Sequence, residues 1–191
     1  TGHYLALIPT LKRPEMVGVN PEVAHEHMAG LNFTHAVAQA LGAGKLFHID
    51  LNDQEFGRYD QDLRFGSANL KSAFFLVKLL EDNNYKGFKH FDSHAYRTSD
   101  RNDVIEFARG SMRTYTLLRE KARKWNADGQ IRRLLRQINR ENAKLDRMIA
   151  ESGRANAAAL GEMVFNRVKL AARPLPYERL DQRTMEILMG S

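Results

Sequence analysis

Residues 44–52 read GKLFHIDLN, a short apolar run that ends in a carboxylate and is bounded by glycine on one side and a polar loop on the other. A short apolar run of this length, set between longer helical patterns, predicts a strand over 45–51. Two further runs have the same character. VGVN at 17–20 is stopped by Pro21, and GFKHFD at 87–92 follows a helical stretch. Between them lie segments with helical periodicity. EHMAGLNFTHAVAQALG at 26–42 reads as one helix closed by Gly42 and Gly44, and NLKSAFFLVKLLEDNNY at 69–85 as another, with Asn69 placed to cap it. HYLALIPTLK at 3–12 reads as a helix interrupted by Pro9. Strands alternating with helices of this length imply βαβ units and a parallel sheet.

Beyond residue 100 the pattern is helical. Helices are expected over 101–126, 129–151, 155–168 and 177–189, with Pro174 and Pro176 as breakers. Ile131, Leu134, Leu135, Ile138, Leu145, Met148 and Ile149 form an apolar stripe at helical spacing among arginines and lysines. The expected division is a β/α part over 1–125 and a helical C-terminal arm over 126–191. Three parallel strands have two unpaired edges and cannot close. The stripe on the arm therefore finds no home in this unit and is expected to pack on a neighbouring subunit.

Composition sets outer bounds. The chain has 191 residues, with 43% hydrophobic and 27% charged residues, and no cysteine. Disulfides, zinc–thiolate sites, iron–sulfur clusters and cysteine nucleophiles are excluded. No apolar run reaches the ~20 residues that span a bilayer, and no signal-peptide pattern opens the sequence, so a soluble cytoplasmic protein without a membrane partner is expected. The net charge of +6 comes from one stretch. Residues 101–154 hold 14 basic and 7 acidic residues, whereas residues 1–100 hold 10 basic and 12 acidic. An acidic first half argues for a divalent cation as partner and against nucleic acid.

The candidate chemistry lies at the strand ends, where parallel α/β folds bind ligands. Glu22 follows the first strand, with His25 three residues on; Asp50 ends the second and Asp92 the third. Such a carboxylate serves equally well as the N-cap of the next helix. Asp60 and Asp62 lie two apart, so in extended backbone both point one way. Oxygen ligands with one imidazole suit Mg2+, Mn2+ or Co2+ better than structural zinc. His48 shares a strand face with Asp50. His27, His35 and His90 are read as structural.

Several stretches together resemble the xylose isomerase family, in its shorter-chain, actinobacterial-like form. They are Asn20–Glu26 (NPEVAHE), Met28–Phe33 (MAGLNF), Gly44–Asn52, Tyr59–Gly66 (YDQDLRFG), His90-Phe91-Asp92 and Leu180-Asp181-Gln182. The resemblance covers the second half of the family's chain, from the helix after the fifth barrel strand into the C-terminal arm. It implies a half TIM barrel of about three β/α units followed by an arm that embraces a second subunit, hence a homo-oligomer. It implies an aldose substrate isomerised to a ketose by a metal-assisted hydride shift, with catalytic roles for Asp62 and His25. It further implies that Glu22 bridges two metals, that His25, Asp60 and Asp62 complete the catalytic metal, and that Asp50 and Asp92 hold the second. The family's fifth-strand Glu-Pro-Lys segment and its first-half His/Asp pair fall outside this sequence, and Ser93-His94 follow Asp92 where the family has a different pattern. Two alternatives stand beside this reading: a metal-binding remnant with a structural, assembly role, and a metal-dependent phosphodiesterase.

Overall fold

The computed structural model describes residues 1–151 and 154–190. The chain divides into two compact units, Thr1–Arg123 and a second from Lys124 onward.

In the first unit, α1 (Gly2–Leu7) passes into a 3-10 turn at 8–10, where Pro9 takes the early position that needs no N–H. The helix expected over 26–42 is two helices, α2 (Val23–Met28) and α3 (Phe33–Gly42). Gly30 between them has φ +70°, a left-handed conformation that ends α2. Asn32 then starts α3, its side chain accepting a hydrogen bond from the His35 N–H at 2.9 Å. Strand β1 (His48–Asp50) follows, then α4 (Leu70–Asp82), which Asn69 caps by accepting from Ser72 N–H at 3.1 Å. Strand β2 (Phe88–His90) pairs in parallel with β1, placing His48 opposite Phe88, Ile49 opposite Lys89 and Asp50 opposite His90.

The first expected strand, over 17–20, is reduced to isolated parallel bridges, Val19 with Leu46 and, just beyond it, Glu22 with Asp50. Val19 donates to Lys45 and accepts from Phe47, and Pro21 accepts from Asp50. Pro21 has no N–H to return, so the pairing is interrupted there and resumes only as the single Glu22–Asp50 bridge. Gly18 lies directly under the Phe47 ring, where any side chain would collide. The segment still delivers Glu22 beside the end of β1, which is what positions the site.

The core of this unit comes from two helical faces. Phe33, Ala36, Val37 and Ala40 recur at i, i+3, i+4 and i+7 on α3, and Ala73, Phe74, Leu76, Val77 and Leu80 are buried on α4. The two helices pack on each other, and Ile49, Leu51 and Phe65 are buried with them in the same unit. Each Leu or Phe so buried contributes roughly 1.5–3 kcal/mol.

Helix α5 (Arg101–Ala127) leads out of the first unit. Its Tyr115 hydroxyl donates to Glu81 at 3.0 Å. Burial and the adjacent Glu81 carboxylate push the Tyr115 phenol well above its ordinary range.

The second unit contains α6 (Gly129–Ala150), α7 (Arg154–Gly161), α8 (Arg167–Ala171) and α9 (Tyr177–Met189). The helix expected over 155–168 is thus shorter and followed by a separate one, with Asn166 capping α8 through the Lys169 N–H. Asp128 caps α6 through the Ile131 N–H at 2.8 Å, and its other oxygen accepts from Arg183 of α9 at 2.9 Å. Trp125 Nε1 donates to Thr184 at 2.9 Å. The stripe on α6 meets two fates. Ile131, Leu134 and Ile138 are buried where α6 packs on α9, whereas Leu145 and Ile149 remain 37% and 61% exposed. The expectation that the whole stripe awaits another subunit is corrected: its first half is covered from within the chain.

Candidate metal centre

Glu22 sits at the N-cap position of α2 in extended backbone, but its side chain makes no capping bond. Its carboxylate faces the strand ends instead. Glu22 Oε2 lies 2.7 Å from His25 Nδ1, one helical turn along, and His25 Nε2 lies 3.6 Å from Asp60 Oδ1. These three residues each offer a ligand atom within 4.8 Å of the others, and so, separately, do Glu22, Asp50 and Asp92. Glu22 is common to both groups. Burial is the main influence on this carboxyl and raises its pKa; the Asn52 hydrogen bond and His25 oppose the rise, while the charges of Asp62 and Asp92 add to it. A cation placed there favours the ionised form, so the donor set fits a divalent ion.

Asp60 and Asp62 reach the site by a route that differs from the expectation. They have φ values of 31° and 44°, left-handed rather than extended, and so do not share a face. The loop that carries them is closed at its neck by paired backbone bonds of 2.9 Å between Asp53 and Leu63. The buried Asp53 carboxylate accepts from the N–H groups of Gln54, Ala68 and Asn69, and the Gln54 side chain accepts from Gln61 N–H and donates to Arg58 O. Aspartate tolerates this backbone better than most residues. The turn sends Asp60 to His25 and Asp62 elsewhere: Asp62 Oδ1 accepts from Asn52 at 2.8 Å and Oδ2 lies 3.1 Å from His94 Nδ1.

Asn52 is the residue that sequence reasoning passed over. It is 1% exposed, and its Nδ2 donates both to Glu22 Oε1 and to Asp62 Oδ1, each at 2.8 Å. Its Oδ1 accepts from Ala24 N–H at 2.9 Å. One neutral amide thus spaces two carboxylates and ties both to the start of α2. The signal was its place two residues after Asp50. Asn20 plays a like part, donating to Asp50 Oδ2 at 2.7 Å. Of the six predicted ligands, Glu22, His25, Asp60, Asp50 and Asp92 fall into the two groups; Asp62 stands beside them through Asn52. A cavity of about 470 Å³, lined by Tyr4, Asn20, Glu22 and His25 among others, opens onto Glu22. A second, of about 290 Å³, has Asn52 and Asp53 in its wall but none of the six.

Parallel β/α pairing with carboxylates and an imidazole gathered at the strand ends defines a class: a β/α chain with a candidate centre for two cations. Comparison with known proteins narrows it. The chain is 53% identical over 189 residues to the xylose isomerase of Thermus thermophilus, an alignment covering 99% of this chain and 49% of that protein. It is 51% identical over 189 residues to the xylose isomerase of Thermus caldophilus, covering 99% and 49%, and 48% identical over 195 residues to that of Streptomyces lividans, covering 100% and 48%. No family model matches. The chain is related along its whole length to the xylose isomerases, and it spans about half the length of the curated relatives it matches. That kinship implies the TIM-barrel family.

Proposed function

We propose that this chain carries the cation-binding half of an aldose–ketose isomerase centre, with D-xylose as the sugar to test first. The observation that carries the reading is the sharing of Glu22 between Glu22–His25–Asp60 and Glu22–Asp50–Asp92. In it, Glu22 would be shared by two cations, His25, Asp60 and Asp62 would hold the catalytic one, and Asp50 and Asp92 would hold the other. Mg2+, Mn2+ and Co2+ suit this oxygen-rich set with one nitrogen. When bound, such cations supply Lewis acidity to the sugar oxygens as a hydride passes between C2 and C1.

The chain's own residues prepare for that. Glu22 orients the His25 ring by the 2.7 Å contact at Nδ1, leaving Nε2 toward Asp60. Asn52 sets the spacing of Glu22 and Asp62. His94 Nδ1 can hold a proton against Asp62 Oδ2. The β1–β2 pair and the bridged segment ahead of it are read as three neighbouring units of a half barrel, with 1–125 carrying the site. The arm over 126–191, with Ile149, Val164 and Val168 at 61%, 97% and 79% exposure, is read as the surface that takes a second copy. A cytoplasmic setting completes the proposal; no helix among the described residues is long and apolar enough to cross a membrane.

The test is isomerisation of D-xylose with Mg2+, Mn2+ or Co2+, compared with Glu22→Ala and Asp62→Ala. Each substitution is expected to lower turnover about 100-fold or more, since even groups that only orient metal ligands cost 10–100-fold. Equal turnover in all three proteins overturns the catalytic reading. Metal uptake with no turnover in any of them favours the structural, assembly role instead.

A further inference from the structure

A third group of ligand atoms lies on the open face of the β1–β2 pair. His48, Asp50 and His90 each offer one atom within 4.8 Å of the others. The backbone dictates this. His48 and Asp50 are two apart on β1 and so share a face, and the parallel register sets His90 directly opposite Asp50. His48 Nε2 and His90 Nδ1 approach the same oxygen, Asp50 Oδ1, at 3.0 and 3.2 Å. The other oxygen, Oδ2, is held by Asn20 at 2.7 Å, so the carboxylate is oriented from behind. The two ring side chains are 35% and 64% exposed, while Asp50 is 11% exposed.

We propose that His48, Asp50 and His90 form a further site, overlapping the carboxylate centre at Asp50, for a nitrogen-preferring divalent cation, zinc above all. The chemistry differs from that of the carboxylate groups. Two imidazoles and one carboxylate match the three-ligand, open zinc site, whereas oxygen-rich sets suit Mg2+ and Mn2+. The spacing also fits. Zinc bonds of ~2.0–2.1 Å in tetrahedral array put ligand atoms about 3.3 Å apart, close to the two observed contacts. The cation would sit among His48 Nε2, His90 Nδ1 and Asp50 Oδ1, with solvent completing its coordination from the exposed side. Asp50 also belongs to Glu22–Asp50–Asp92, so zinc at the histidines competes with a cation held by all three carboxylates. That competition rests on the isomerase reading; the site itself does not.

The experiment is a calorimetric titration of the metal-free chain with Zn2+, repeated on His48→Gln/His90→Gln, on His90→Gln alone, on Glu22→Gln and on His35→Gln as the control, with far-UV circular dichroism to check folding. The double variant is expected to bind Zn2+ at least tenfold more weakly, His90→Gln to weaken it in the same direction, Glu22→Gln to cost less than either, and His35→Gln, at an exposed histidine outside all three ligand groups, to leave it within twofold. His90 is exposed at a strand end, so the single variant decides the matter if the double one does not fold. Zinc affinity unchanged by the histidine substitutions overturns the site. So does a loss with Glu22→Gln as large as theirs, which would assign the zinc to the carboxylates. Sugar turnover is not read, so failure here leaves the isomerase proposal standing.

Discussion

The helical pair α3–α4 in the first unit and helix α6 in the second use the same device, an apolar stripe at helical spacing, with different results. On α3 and α4 the stripe is consumed: Val37, Ala40, Phe74 and Val77 are fully buried. On α6 it is consumed only as far as Ile138, beyond which Leu145 and Ile149 stay open, as do Val164 and Val168 further on. The difference teaches that periodicity reports which face of a helix is apolar, not what covers it. The first unit encloses its own core. The second closes α6 on α9 for about half the helix and leaves the rest of the stripe available.

Substitutions can break this contrast. The largest effect is expected from Phe74→Ala, which opens a cavity in the enclosed core and costs about 3–5 kcal/mol in urea unfolding. Ile131→Ala, in the covered half of the α6 stripe, is expected to cost about 2–5 kcal/mol by the same measurement. A loss under 1 kcal/mol would mean that α6 and α9 are not held by this contact. Asp128→Ala removes the α6 cap and the Arg183 partner, and a cost near 1 kcal/mol is expected, read as lost helicity or a lower Tm. The backbone bond from Ile131 and the Arg183 guanidinium hold the Asp128 carboxyl below its ordinary range. Its contribution is therefore present above the usual aspartate pKa and fades as pH falls through the lowered value, so wild type and D128A should converge in strong acid. Smallest is Val168→Ser on the open face, expected within about 0.5 kcal/mol in a monomer. A larger loss, together with a drop in solution mass, would sharpen the contrast by showing that a second copy covers that face.

The helices were legible because their signals are local. Asn69 before an apolar stripe marks α4, and Pro176 before a stripe marks α9. The strand expected over 17–20 was not, because its persistence depends on exchanging hydrogen bonds with Lys45, Phe47 and Asp50, and Pro21 can only accept. The break at Gly30 was hidden inside a run whose apolar spacing continues on both sides. At the site, the strand ends carried Glu22, Asp50 and Asp92 plainly. Asp60 and Asp62 were recognised as acids, but their directions come from left-handed backbone that a period of two cannot reveal. Asn52 carries no charge, and its value appears only when Glu22 and Asp62 are seen on one nitrogen.

That nitrogen has a consequence for how ions would come and go at the proposed centre. Two acids kept apart by a rigid neutral spacer hold their gap without any ion between them. Under the proposed function, a cation would then load by shedding its own water, not by rebuilding the loop around it, and the centre would keep its spacing when the ion left.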